Sequence, residues 1–86
     1  MNIIKVSSKS NAKSVASAIA GLLKEEHTIE LHSIGAGSLN QAIKGIIIAR
    51  GFLAPTGANI NITPSFLNVD IAGEEKTAIK LLLRIE

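Results

Sequence analysis

Residues 28–50 read TIELHSIGAGSLNQAIKGIIIAR, and their pattern is the strongest indication of the fold. Isoleucine and leucine alternate with polar residues over residues 28–33, a period of two that predicts a strand with one buried face. Residues 35–38 (GAGS) interrupt the alternation. Apolar residues then recur at helical spacing over residues 39–50, which predicts a helix that stops before Gly51. A strand followed by a helix in this way is typical of parallel β-α-β crossovers.

Similar patterns flank this stretch on both sides. Residues 2–7 have the pattern of a short strand, and residues 12–26 have that of a helix with one apolar face. Two short alternating runs, residues 60–63 and 67–71, have opposite parity. We therefore expect a bulge or break at residues 64–66 that restores the buried face.

The last third of the sequence predicts an antiparallel hairpin. Residues 72–75 (AGEE) form its turn, because Gly73 can adopt a positive φ, and residues 76–85 form its second strand. The predicted order is therefore β-α-β-α-β-β. We expect a single domain over residues 1–86: a two-layer α/β sandwich with a mixed four-stranded sheet and both helices on one face.

Composition restricts the chemistry. Of the 86 residues, 47% are hydrophobic but only 2% are aromatic, and cysteine is absent. The absence of cysteine excludes disulfides, thiol catalysis and cysteine-ligated metals, and it agrees with a reducing cytoplasm. Lys5, Lys9 and Lys13 interrupt the apolar runs near the N-terminus, so we expect no signal peptide, and no run is long enough to span a bilayer. We expect a cytoplasmic protein that is not an enzyme and needs no metal or cofactor.

Charge at the two predicted helix starts points to an anion. Neither helix has an acidic residue in its first turn, although a helix N-terminus favours one. In a β-α-β-α order both starts lie at one edge of the sheet, so uncapped helix N-termini, lysines and free N–H groups converge there. Taken alone, the lysines also fit a solvated surface, and the glycine-containing stretch also fits a tight strand-to-helix turn. The prediction of an anion site therefore depends on these features lying together at one edge. The expected phosphate-type site comprises Lys9, Ser10, Lys13, Gly35, Gly37 and Ser38.

Two apolar residues are candidates for contacts between subunits. Ile48 widens the apolar stripe of the second helix beyond one face. Leu82 stands alone between Lys80 and Arg84 on the outer face of the last strand. Because a chain this small and apolar has little core of its own, we expect a homodimer or tetramer.

Several stretches resemble a known family. They are IIKVSSKS (3–10), VASAIAGL (15–22), IGAGSLNQAIK (34–44), ARGFLAP (49–55) and GEEKTAIK (73–80). Together they are similar to the bacterial stage V sporulation protein S family over essentially the whole chain. Two positions depart from that pattern: Ala12 stands where members often carry proline, and Ala72 where aspartate commonly begins the hairpin turn. Neither belongs to the expected anion site, but the second loosens the turn.

The resemblance implies a fold like that of the Alba chromatin proteins, which are dimers that bind DNA or RNA. It assigns nucleic-acid contacts to the start of the first helix, and to the glycine loop together with Lys44. The third contact region of Alba-like proteins, the hairpin arm, departs from the pattern because Glu74 and Glu75 make its tip acidic. The family's role is regulatory, in sporulation and cell development, without enzymatic activity.

Three functions follow as hypotheses. The first is a dimeric regulator that binds DNA or RNA through backbone phosphates, since the sequence has few aromatic rings on which bases could stack. The second is a protein-interaction module that uses the second helix and Leu82 without nucleic acid. The third is a sensor of a small anion or nucleotide, which requires a closed pocket at the helix starts.

Overall fold

A computed structural model describes residues 2–86. Its elements are, in order, β1 (Asn2–Val6), α1 (Ala12–Glu26), β2 (Thr28–Ser33), α2 (Ala36–Leu53), a short 3-10 helix (Ala54–Thr56), β3 (Ile60–Ile71) and β4 (Glu74–Ile85). The four strands form one mixed sheet in the order β1-β2-β4-β3. β1 and β2 are parallel, whereas β4 is antiparallel to both of its neighbours. The expected element order and two-layer architecture are confirmed.

The core lies between one face of the sheet and the two helices. Ile29 and Leu31 of β2 and Leu83 of β4 are completely buried there, opposite residues such as Ile19 of α1 and Ile46 of α2. Alternate residues of each strand supply this face, as the period of two requires. In the described part of the chain, residues 2–86, no helix covers the opposite face of the sheet, and we call it the open face. Within residues 2–86, neither helix is long and apolar enough to cross a membrane.

The second helix is longer than the sequence predicts. It begins at Ala36 rather than within a four-residue loop, because Gly35 alone makes the turn at a φ of 87°. It also runs through Gly51 to Leu53. The predicted stop at Gly51 is wrong because Leu53 is buried in the core, and that burial offsets the cost of about 1 kcal/mol for a glycine inside a helix.

The expected break in β3 is also wrong. The pairing with β4 runs without interruption from Ile60, opposite Ile85, to Ile71, opposite Glu74. The apolar residues change parity because the first half of the strand presents them on one face of the sheet and the second half presents them on the other face. The register between β3 and β4 does not shift. Pro64 is tolerated since β3 is an edge strand of the sheet.

The ends of β3 and β4 form an arm that projects beyond the sheet. β4 pairs with β2 only from Ile79 onward, so residues 67–71 and 74–78 pair only with each other. This hairpin arm is about 17 Å long at the rise of a β-strand. Its turn is at Ala72 and Gly73, which both have positive φ (52° and 79°), as a two-residue type I′ turn requires.

Candidate anion site at the helix-start edge

Both helices start at one edge of the sheet. β1 and β2 are parallel, so each chain segment that leaves its strand turns into a helix on the same side. We define the helix-start edge as residues 7–11 and 35 together with the first turns of α1 and α2. The hairpin arm extends past this same edge, because the arm begins where Ile79 pairs with Ser33, the last residue of β2.

Direct contacts hold the two helix starts together. A Cβ atom built on Gly37 would lie only 3.0 Å from the Cβ of Ser8, so only glycine lets the two segments approach this closely. The side chain of Gln41 donates a hydrogen bond from Nε2 to the backbone oxygen of Ser10 (2.7 Å). The structure therefore brings Ser10 and Gly37 to one edge, as the sequence indicates.

The start of α1 is capped, in contrast to the expected bare helix end. Asn11 Oδ1 accepts a hydrogen bond from the backbone N–H of Ser14 (3.0 Å). The preceding turn is closed by a bond from the Ser7 N–H to Ser10 Oγ (2.9 Å) and one from the Ser10 N–H to the Ser7 oxygen (3.1 Å). Asn11 is neutral, so the positive end of the helix dipole lacks a negative charge, and Lys9 beside it is exposed.

The start of α2 has no side-chain cap. Gly35 occupies the cap position and makes no side-chain hydrogen bond, and the first turn contains no acidic residue. Ser38 is buried, and its hydroxyl donates to the backbone oxygens of Ile34 (2.6 Å) and Gly35 (2.9 Å). Ser38 therefore stabilises the turn from inside, whereas the N–H groups of the first turn supply the polar surface that an anion would meet.

The predicted lysines differ in their distance from this edge. Lys13 lies in the first turn of α1 and is exposed, as is Lys9 in the preceding loop. Lys44 is also exposed, but it lies in the third turn of α2, about 12 Å along the helix axis from Ala36. Lys9 and Lys13 are thus the two lysines whose positions match the helix-start edge.

The two candidate interface residues are only half-buried and half-exposed. Ile48 is half-buried and packs against the core, whereas Ile47 beside it is 59% exposed. Leu82 is half-buried on the open face, between Glu30 of β2 and Thr63 of β3 in the register of the sheet. The largest apolar exposure therefore lies elsewhere.

That exposure forms a strip along α2 and the uncovered edge of the sheet. Phe66 of β3 is 80% exposed and lines a cavity of about 340 Å³ together with Leu39 of α2. Ile43 and Ile47 follow Leu39 at intervals of one helical turn and are exposed. Ile62, also exposed, lies on the same face of β3 as Phe66. We call Ile43, Ile47, Ile62 and Phe66 the apolar strip.

The open face carries a row of basic side chains that the sequence analysis missed. Lys5 of β1 is paired in register with His32 of β2, and His32 is paired with Lys80 of β4. His32 Nε2 donates to Glu30 Oε1 (2.8 Å), which lowers the pKa of the Glu30 carboxyl; partial burial opposes this shift, and Lys80 reinforces it. The alternation along each strand would have predicted that each of these side chains lies on the open face. Their alignment in one row depends on the pairing register between strands, which the local sequence does not reveal.

The described residues offer no cluster of metal-ligating side chains. Across residues 2–86, no three side chains of the types that ligate metals lie close enough together to hold an ion. The ion pair between His32 and Glu30 is the single one within 4.0 Å in that range.

Comparison with known proteins identifies both a family and a fold. A family model described as Stage V sporulation protein S (SpoVS) matches residues 2–86. Among solved structures, Alba from Thermoplasma volcanium is similar over 99% of both chains, with a TM-score of 0.66 and 16% sequence identity. At this identity the likeness concerns the fold, so the expected Alba-like architecture is confirmed.

Proposed function

The chain belongs to the stage V sporulation protein S family, and on this basis we propose that it is a non-enzymatic regulator that binds the phosphate backbone of DNA or RNA as a dimer. Family and fold together support a regulatory role in sporulation. Nucleic-acid binding and dimerisation are the parts that we add. The observation that carries nucleic-acid binding is the helix-start edge, and the observation that supports dimerisation is the apolar strip.

Electrostatics at the helix-start edge favour a phosphate. Each helix N-terminus carries about half a positive charge. Two such ends meet here without an acidic residue in either first turn, and Lys9 and Lys13 add two full charges. A phosphate group placed at this edge would be attracted by all four and would accept hydrogen bonds from the N–H groups after Gly35.

The hairpin arm gives the edge one wall of a groove. Its tip is acidic at Glu74 and Glu75, so the tip would be repelled by a phosphate backbone, whereas Lys76 and Lys80 lie nearer its base. Contacts to nucleic acid would therefore involve the base of the arm and the helix starts. Phe66, the most exposed aromatic side chain, belongs to the apolar strip and also borders this edge, because it lines the cavity of about 340 Å³ together with Gly35 and Ala36.

The apolar strip supports association of two copies. A cluster of exposed apolar side chains on a small protein usually marks a surface that contacts another molecule. A second copy of this chain would cover Ile47 and Phe66, which are 59% and 80% exposed. Dimerisation would also double the number of phosphates that one particle contacts, and so strengthen binding.

Nucleic-acid binding can be tested by fluorescence anisotropy with a duplex DNA and an RNA of equal length over a series of salt concentrations. We expect the logarithm of the binding constant to fall against the logarithm of salt concentration with a slope of about −1 to −4, because each phosphate contact contributes about −0.9. The double variant Lys9→Glu/Lys13→Glu should bind at least about tenfold more weakly, since two attractions become repulsions.

Lys24→Glu is the matched control. Lys24 is an exposed lysine in the last turn of α1, at the opposite end from Lys13. Binding that falls equally in the control and in the double variant would indicate only a loss of net charge. Absence of binding to either nucleic acid at low salt would refute the proposal.

Light scattering tests the dimer and separates the second candidate function. Ile47→Glu should convert the dimer to a monomer, whereas Ile3→Glu, at another exposed isoleucine, should not. If Ile47→Glu abolishes sporulation activity while the lysine variants leave it unchanged, the exposed apolar strip favours a protein-interaction module instead. A wild-type chain that scatters as a monomer would contradict dimerisation directly.

A further inference from the structure

A second cavity, separate from the one beside Phe66, lies next to the loop that follows β1. It has a volume of about 450 Å³, within the range of about 300–1,000 Å³ typical of small-molecule sites. One end is polar: it is lined by Lys5, by His32 and by the serines at positions 7 and 8. The hairpin arm forms the opposite wall. We propose that this cavity binds a nucleotide-sized phosphomonoester whose body packs on the apolar part of the lining and offers hydroxyl or amino groups to Asp70.

The polar end has the charge that a phosphate would neutralise. Lys5 and Lys80 flank His32 in register across three strands. Glu30 is hydrogen-bonded to His32 and is also attracted by Lys80, which leaves Lys5 as the exposed cation of this row. Among residues 2–86, neither lysine has a carboxylate within 4.0 Å. An anion bound beside Lys5 would be attracted by its charge and would accept a hydrogen bond from it.

The remaining lining is largely apolar. Ile34 and Ile71 belong to it and are 41% and 44% exposed, and Val69 of the arm also lines the cavity. A ligand that covered these side chains would remove apolar surface from water. Asp70 also lines the cavity, and its carboxylate would accept hydrogen bonds from hydroxyl or amino groups of the ligand while repelling a phosphate. The phosphate would therefore lie toward Lys5.

This cavity adjoins the helix-start edge and shares Ser7 and Ser8 with it. Lys9, Lys13 and Gly35 do not belong to its lining, and Lys5 and His32 do not belong to the edge. The two proposals can therefore be separated by experiment, because each has lysines that the other lacks.

The test is a titration of the ¹⁵N-labelled chain with adenosine 5′-monophosphate, followed by NMR, with inorganic phosphate and adenosine as separate probes. We expect chemical-shift changes confined to residues 5–8, 32–34 and 69–71, and affinity for the nucleotide at least tenfold higher than for either probe alone. Changes centred on residues 9–13 and 35–38 would overturn the proposal, as would equal affinity for inorganic phosphate. Displacement of the nucleotide by an oligonucleotide without a terminal phosphate would also overturn it, because the cavity would then belong to a nucleic-acid surface.

Two variants identify the side chains. Lys5→Gln should weaken nucleotide binding at least tenfold, whereas Lys24→Gln should leave it within twofold of the unmodified chain. Ser8→Ala keeps the Cβ atom that contacts Gly37 and removes only the hydroxyl, and it should weaken binding at least threefold. Each variant's own NMR spectrum shows whether it is folded. Unchanged affinity in a folded Lys5→Gln or Ser8→Ala chain would contradict the assignment.

Discussion

Replacement of Gly45 by alanine should force the two helices apart. A Cβ atom built on Gly45 would lie 2.6 Å from Cγ1 and 3.1 Å from Cβ of Val15 on α1. Carbon atoms in contact are ordinarily about 3.5–4.0 Å apart, so the helices would have to separate by about 1 Å. Val15 is buried and cannot rotate away cheaply, because valine has one strongly preferred χ1 rotamer in a helix.

The magnitude follows from two opposing effects. Overpacking a core by one methyl group costs about 1–3 kcal/mol. Alanine favours the helix over glycine by about 0.8–1.0 kcal/mol, which offsets part of this cost. We therefore expect Gly45→Ala to lower the free energy of unfolding by about 1 kcal/mol, equivalent to about 4–8 °C in the melting temperature of a domain of this size.

A second glycine isolates the packing effect. Gly21 lies in α1, and nothing would lie within 4 Å of a Cβ built on it. Gly21→Ala should therefore show only the helix preference and raise the free energy of unfolding by about 1 kcal/mol. Denaturation in urea, followed by circular dichroism, measures the free energy of unfolding of both variants. The same assay applied to the double variant Val15→Ala/Gly45→Ala tests the clash directly, because Val15→Ala removes the atoms that the new methyl group would meet. The two substitutions should therefore couple favourably by about 1–3 kcal/mol. If Gly45→Ala stabilises the chain as much as Gly21→Ala does, the argument from close helix packing is wrong.

Two further predictions concern the hairpin turn and the open face. Ala72 adopts a left-handed φ of 52°, a conformation that costs an ordinary residue about 1–2 kcal/mol. Asparagine tolerates this conformation better, so Ala72→Asn should raise the melting temperature measured by calorimetry by a few degrees. An unchanged midpoint would show that the turn is not strained. The pKa of Glu30 is lowered from 4.5 by the bond from His32, so its stabilising effect is present above that pH and is lost as the pH falls through the depressed value. Urea denaturation between about pH 3 and 6 should therefore show less acid destabilisation for Glu30→Gln than for the unmodified chain, and parallel curves would contradict this role.

The element order could be read from the sequence because it depends on local periodicity. α1 and β2 have the predicted bounds, Ala12–Glu26 and Thr28–Ser33, since each presents one continuous apolar face to one core. The prediction at β3 is wrong for the same reason. It assumed that the same face of a strand is buried along its whole length, whereas Leu67 and Val69 in the hairpin arm are half-buried on the face opposite to that of Ile60.

The helix-start edge was only partly predictable. The absence of acidic residues near both helix starts is visible in the sequence, and the parallel strands bring those starts to one edge. The sequence did not reveal that Ser38 directs its hydroxyl inward, or that Lys44 lies about 12 Å along α2 from its start. Both facts follow from where α2 begins, and that depends on a single glycine turn.

The periodicity of each element, their order, and the charges that flank each helix can be read along the chain, because these depend on residues a few positions apart. Which distant residues meet depends on tertiary packing. It set the alignment of Lys5, His32 and Lys80 across three strands, and the close approach of Gly45 to Val15. Strand register and helix crossing depend on packing between segments tens of residues apart, and local periodicity carries no information about that packing.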